Sequence, residues 1–97
     1  MPVYAVFIRE TTKNEAELAA YMPKAAASMA GHSMTVLAAY GRQEVLEGPD
    51  MEGVVIVEFP SFDAAKTWYE SPAYRDAREY RFRGADYRAI IVEGMAQ

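Results

Sequence analysis

The sequence contains no cysteine. That excludes disulfides, thiolate zinc sites, iron–sulfur clusters and a cysteine nucleophile, and nothing in the chain depends on redox compartment. Histidine occurs once, at His32. Zinc sites ordinarily gather three or four ligands, so no metal is expected. Basic charge is short as well: 14 acidic residues outnumber 10 lysines and arginines, for a net charge of −4. Nucleic acid requires a basic footprint to displace phosphate counterions, so it is not an expected partner. Long apolar runs are also missing. The first, "VYAVFI" from Val3, meets Arg9 and Glu10, too soon for a signal peptide or a membrane span. The expectation is a cytosolic protein without a membrane partner. Phosphate-cradling loops, Rossmann glycines and a Ser/His/Asp set are absent too, and no cofactor is expected.

What remains is a globular composition, 52% hydrophobic and 25% charged over 97 residues, which fits one domain spanning 1–97. "VYAVFIR" alternates as a strand, with Tyr4, Val6 and Ile8 on one face and Val3, Ala5 and Phe7 on the other. Asn14 three residues before Glu17 resembles a capping box, and Leu18, Tyr21, Met22, Ala25 and Met29 follow at helical spacing. Pro23 lies inside that pattern, so a kink or break is expected there, with Gly31 as the stop. "MTVLAAY" and "RQEVLEG" read as one bent strand or two short ones, "GPDMEG" as a turn and "VVIVEF" as the next strand. Ser61 and Ser71-Pro72 each open a helix, Gly84 closes the second of these, and "DYRAIIVEG" is the last strand. The order is a ferredoxin-like βαββαβ sandwich, class α+β, with an antiparallel sheet and its second helical segment split in two. The first and third strands are expected at the centre, side by side and parallel.

Both faces of these strands are apolar: Val54 and Ile56 point one way, Val55, Val57 and Phe59 the other, and Ile91 opposes Ile90 and Val92. Helices of such a domain cover only one face, and a bare second face would be a large exposed apolar patch. A second copy of the same sheet is the simplest cover. The chain is therefore expected to form a homodimer through its sheet faces, a dimeric α+β barrel.

The run "VEFPSFDAAKTWYESPAYRDAREYR" (Val57 to Arg81), with "IIVEG" (Ile90 to Gly94) and "EVLEG" (Glu44 to Gly48), resembles a bacterial family, domain of unknown function 1330, grouped with the dimeric α+β barrels. The resemblance implies the fold and the dimer but no reaction. Related barrels include cofactor-independent monooxygenases, isomerases and haem-handling proteins, and a fold does not fix a function. Where the family pattern carries Arg-Gly-Gly, this chain reads Ala39-Tyr40-Gly41, so an anion contact from that arginine is not carried over.

Candidate site residues fall in three groups. Phe62, Ala65, Trp68 and Tyr69 form a core-facing stripe, with Trp68 also a candidate pocket wall. Tyr74, Arg78 and Arg81 stand at i, i+4 and i+7 on one helix face, a spacing that suits a carboxylate or phosphate held bidentately. The ordinary reading of those charges is a solvated face with Glu79 paired to Arg83. The third group follows from parallel central strands, which would bring Arg9 and Glu58 to one edge beside Asp86 and Arg88. Glu58 follows four apolar residues, an expensive place for a carboxylate unless it is paired with Arg9 or used as a general base. The expected function is retention of a small anionic or aromatic molecule between sheet and helices, with Arg81 and Arg9 supplying charge and Tyr4, Trp68 and Tyr74 the wall. The competing readings are a cofactor-free isomerase or monooxygenase with Glu58 or His32 as proton acceptor, and a purely structural dimer.

Overall fold

The computed structural model describes residues 1–96. Its elements are β1 (Val3–Thr12), α1 (Glu15–Ala27), β2 (Thr35–Ala39), β3 (Gly53–Phe59), α2 (Phe62–Tyr69), α3 (Pro72–Gly84) and β4 (Ala85–Glu93). The four strands form one sheet in the order β2-β3-β1-β4, and every neighbouring pair is antiparallel. This is the ferredoxin-like α+β architecture.

One topological expectation is corrected. β1 and β3 are adjacent and central but antiparallel. Helix α1 returns the chain so that β2 runs the same way as β1, and residues 40–52 reverse it into the slot between them. In that register Arg9 faces Gly53 while Tyr4 faces Glu58, so Arg9 and Glu58 stand at opposite ends of the sheet.

The helix starts follow from short polar side chains that accept from otherwise unpaired N–H groups. Asn14 Oδ1 accepts from Glu17 N, Ser61 Oγ from Ala64 N and Ser71 Oγ from Tyr74 N. Pro72 occupies the first turn of α3, where its missing N–H costs nothing. Pro23 does not break α1, which runs unbroken to Ala27. The lost bond is one among many in a helix whose Leu18 and Tyr21 are buried. Gly31 lies beyond the helix end at φ 82° and supplies the left-handed turn. No second strand forms in "RQEVLEG"; β2 ends at Ala39 and residues 42–51 are irregular.

The pleat sorts the two sheet faces. Val3, Ala5, Phe7, Val57 and Phe59 are buried against Leu18, Tyr21, Ala65, Trp68, Tyr74 and Ala77 of the helices. Within the expected stripe of α2, Ala65 and Trp68 are core, but Phe62 is exposed. The opposite face carries Tyr4, Val6 and Ile8 opposite Glu58, Ile56 and Val54 on one side and Val92, Ile90 and Arg88 on the other. No helix covers it, and Ile90 and Val92 are 54% and 48% exposed. Among the described residues no helix is long and apolar enough to cross a membrane.

Candidate functional site

Helix α3 buries Tyr74, Ala77, Arg81 and Gly84. Arg81 is the anomaly, a guanidinium only 3% exposed. Aromatic rings surround it: its Cζ lies 5.5 Å from the Phe7 ring centroid and 5.1 Å from those of Phe82 and Tyr87. One terminal nitrogen donates to the Tyr69 hydroxyl at 3.5 Å. Its Nε is buried without a hydrogen-bond partner. Among the described residues the ion pairs are Arg9–Glu52, Lys13–Asp86, Lys24–Asp76, Arg78–Glu70 and Arg83–Glu17. Arg81 is in none of them. Taking a guanidinium out of water costs several kcal/mol unless it is paired, and ring faces return roughly 0.5–2 kcal/mol. The site is thus electrostatically incomplete.

Phenols complete the polar inventory. The Tyr21 and Tyr74 hydroxyls share a buried hydrogen bond of 2.8 Å, and those of Tyr40 and Tyr87 share another. Burial drives the Tyr21 proton affinity far above that of an ordinary phenol, and the neighbouring Tyr74 adds to it. Burial does the same at Tyr40, reinforced by the bond to Tyr87. Tyr74 is raised by burial too, although Arg81 opposes the shift. These hydroxyls remain neutral donors and acceptors and do not neutralise Arg81.

A cavity of about 230 Å³ opens between β1, β4 and α2, with Phe7, Trp68, Tyr69 and Ile91 in its wall and the exposed Lys66 and Glu70 at its edge. It is smaller than the roughly 300–1,000 Å³ of drug-sized sites. Phe7 and Tyr69 join it to Arg81, since both touch the guanidinium. Trp68 stacks on Tyr74 with ring centroids 4.0 Å apart, and Tyr69 lies 5.5 Å from Tyr74. On its other side Arg81 borders a more open, polar hollow with Glu10, Asp86 and Tyr87. Arg81 lines this hollow and not the cavity; an apolar body in the cavity would carry an anionic group to Arg81 past Phe7 and Tyr69, which touch both the cavity and the guanidinium.

The expected residues therefore divide. Trp68, Tyr74 and Arg81 come together. Arg78 leaves the group: it donates to the Tyr69 carbonyl and to Glu70, both at 3.2 Å, and stacks on the Tyr69 ring. Arg83 pairs with Glu17 rather than Glu79. Arg9 meets Glu52 at 3.0 Å, not Glu58, and lies over the Tyr40 ring. Thr12 also donates to Glu52 through its hydroxyl and backbone N–H, and these bonds, with Arg9, hold that carboxyl below the usual range. Tyr4 lies on the uncovered face, beside Gly94, so it cannot wall a cavity under the helices. Glu58 shares that outer face. His32 is half-buried in the turn after α1, and neither it nor Glu58 lines the cavity or the hollow beside Arg81. Among the described residues no cluster of three or more metal-ligating side chains forms. The reading missed Phe7, Tyr69 and Tyr87 as partners of Arg81. The inward alternation of Phe7 was the available signal, whereas Tyr87 depended on the register of β4.

A family model, Domain of unknown function (DUF1330), matches residues 2–95. No curated protein matches the chain. Among solved structures, a protein of unknown function from Rhodopseudomonas palustris superposes with TM-score 0.79 at 20% identity, over 99% of this chain and 84% of that one. A dimeric ferredoxin-like protein of unknown function from Thermobifida fusca gives TM-score 0.66 at 12% identity, over 95% and 90%. SnoaB, a cofactor-independent oxygenase from Streptomyces nogalater, gives 0.61 at 13%, over 99% and 95%. At such identities the likeness is one of fold.

Proposed function

This chain belongs to the DUF1330 family, and from that premise we propose that it is a homodimeric binding module for a small molecule with an anionic group and an apolar, aromatic-sized body. The anion lies against Arg81 and the body fills the cavity beside Phe7, Trp68 and Tyr69. The observation that carries this reading is the buried guanidinium with an unpartnered Nε and no ion pair among the described residues. A ligand anion supplies the missing charge and a second hydrogen bond, an interaction worth about 1.5–3 kcal/mol. The second subunit covers the outer sheet face, in keeping with a solved relative that is itself dimeric.

Calorimetric titration with small aromatic carboxylates and their neutral amides tests the proposal. The carboxylates bind and raise the melting temperature; the amides do neither. Arg81→Met removes the charge while keeping an apolar filling. It leaves the fold as stable or more so and weakens carboxylate binding roughly ten- to hundredfold. Tyr69→Phe, a milder variant, weakens it less. If no carboxylate shifts the wild-type protein while Arg81→Met unfolds it, the guanidinium is a structural element and the proposal fails.

A further inference from the structure

On the uncovered sheet face two charges interrupt an apolar surface. Glu58 lies in the row of Tyr4 and Val92, and Arg88 in the row of Ile8 and Val54. Both are without an ion-pair partner among the described residues. They cannot reach one another. Glu58 is on β3 and Arg88 on β4, with β1 between them. That spacing amounts to about 10 Å across the sheet and about 13 Å along it.

We infer that these two residues set the register of the sheet-to-sheet contact between copies, Glu58 of each chain facing the partner subunit's Arg88. The inference rests on the homodimer reading above. Two identical faces meet about a two-fold axis lying in the plane between them, and the axis direction decides what faces what. An axis along the strands sets Glu58 against Val92. An axis across the strands sets it against Val54. Either choice buries two carboxylates without cations, which a desolvated interface does not tolerate. An axis over Val6 perpendicular to the line joining Glu58 and Arg88, close to the diagonal from Val54 to Val92, exchanges the positions of Glu58 and Arg88. Both charges are then matched twice, and Val6, Ile56 and Ile90 fill the middle. The strands of the two sheets cross steeply under that axis, in the orthogonal class of sheet packing rather than the aligned one.

Charge exchange tests the pairing, with sedimentation and light scattering reporting mass and circular dichroism reporting fold. Glu58→Arg alone and Arg88→Glu alone each place like charges face to face, and each raises the dimer dissociation constant roughly tenfold or more. The double variant restores the wild-type constant to within roughly threefold. Should an exchanged variant fail to fold, Glu58→Gln and Arg88→Gln serve instead: each leaves the partner's opposite charge buried without a mate and weakens the dimer several-fold. A dimeric wild type whose single exchanges change nothing, or whose double exchange is no better than the singles, overturns the pairing and leaves the dimer standing. A monomeric wild type overturns both.

Discussion

Tyr21, Tyr40 and Tyr74 hold their protons well beyond the ordinary range of tyrosine, chiefly because burial disfavours the phenolate. Their folded-state affinities lie above the unfolded ones, so their contribution to stability is complete below about pH 10 and is lost as pH rises past it. Melting temperature therefore falls steeply above about pH 10, and phenolate absorbance from these residues appears in one step with the loss of helical dichroism. Smooth ionisation with the fold intact would contradict the buried network. At this scale Arg81 was legible from its spacing to Tyr74, because two residues seven apart share a helix face. Its isolation was not. Which acid a guanidinium meets depends on side chains remote in sequence, as Arg9 choosing Glu52 over Glu58 shows. Tyr40 was equally hidden. It sits at φ 54°, in a region where β-carbons crowd the backbone, and is held there by its ring over Gly53, its bond to Tyr87 and the Arg9 guanidinium above it.

Between elements, α3 packs tightly against the start of α1. The Gly84 carbonyl accepts from Lys13 N at 2.8 Å and from Asn14 N at 3.0 Å. A β-carbon on Gly84 would lie 2.8 Å from Leu18 N and 3.0 Å from its Cα. Backbone cannot swing aside as a side chain can, so the two helices must separate. Gly84→Ala is expected to cost about 1–3 kcal/mol in denaturant unfolding. Gly41→Ala, with open space around it, is the control and costs about 0.5 kcal/mol or less. Equal stability of the two variants would contradict the packing. Helix starts and ends were readable because a cap is chemistry within four residues of itself. The sense of β3 relative to β1 was legible too, because an antiparallel βαββαβ sheet runs them in opposite directions, and the expectation of parallel central strands conflicted with it. That single inversion carried Glu58 from a supposed site edge to the uncovered face.

For the molecule as a whole, the decisive quantity is the apolar face that α1, α2 and α3 leave bare. Apolar residues on both faces of three strands announced it, while its partner can only be another surface. A net charge of −4 on each copy opposes association at long range, so a homodimer must gain its stability from that face and should tighten as salt screens the repulsion. Val6 occupies the centre of the face, between Ile56 and Ile90, and is not part of the buried core. On a diagonal two-fold axis it meets its own copy, so Val6→Asp sets two carboxylates against each other in a desolvated place. The variant is expected to remain folded, to sediment at single-chain mass, and to melt at a temperature independent of concentration. The wild-type melting temperature instead rises with concentration, as mass action requires of a dimer. A Val6→Asp protein that still pairs would mean that the copies join elsewhere, and the uncovered sheet would need a different occupant.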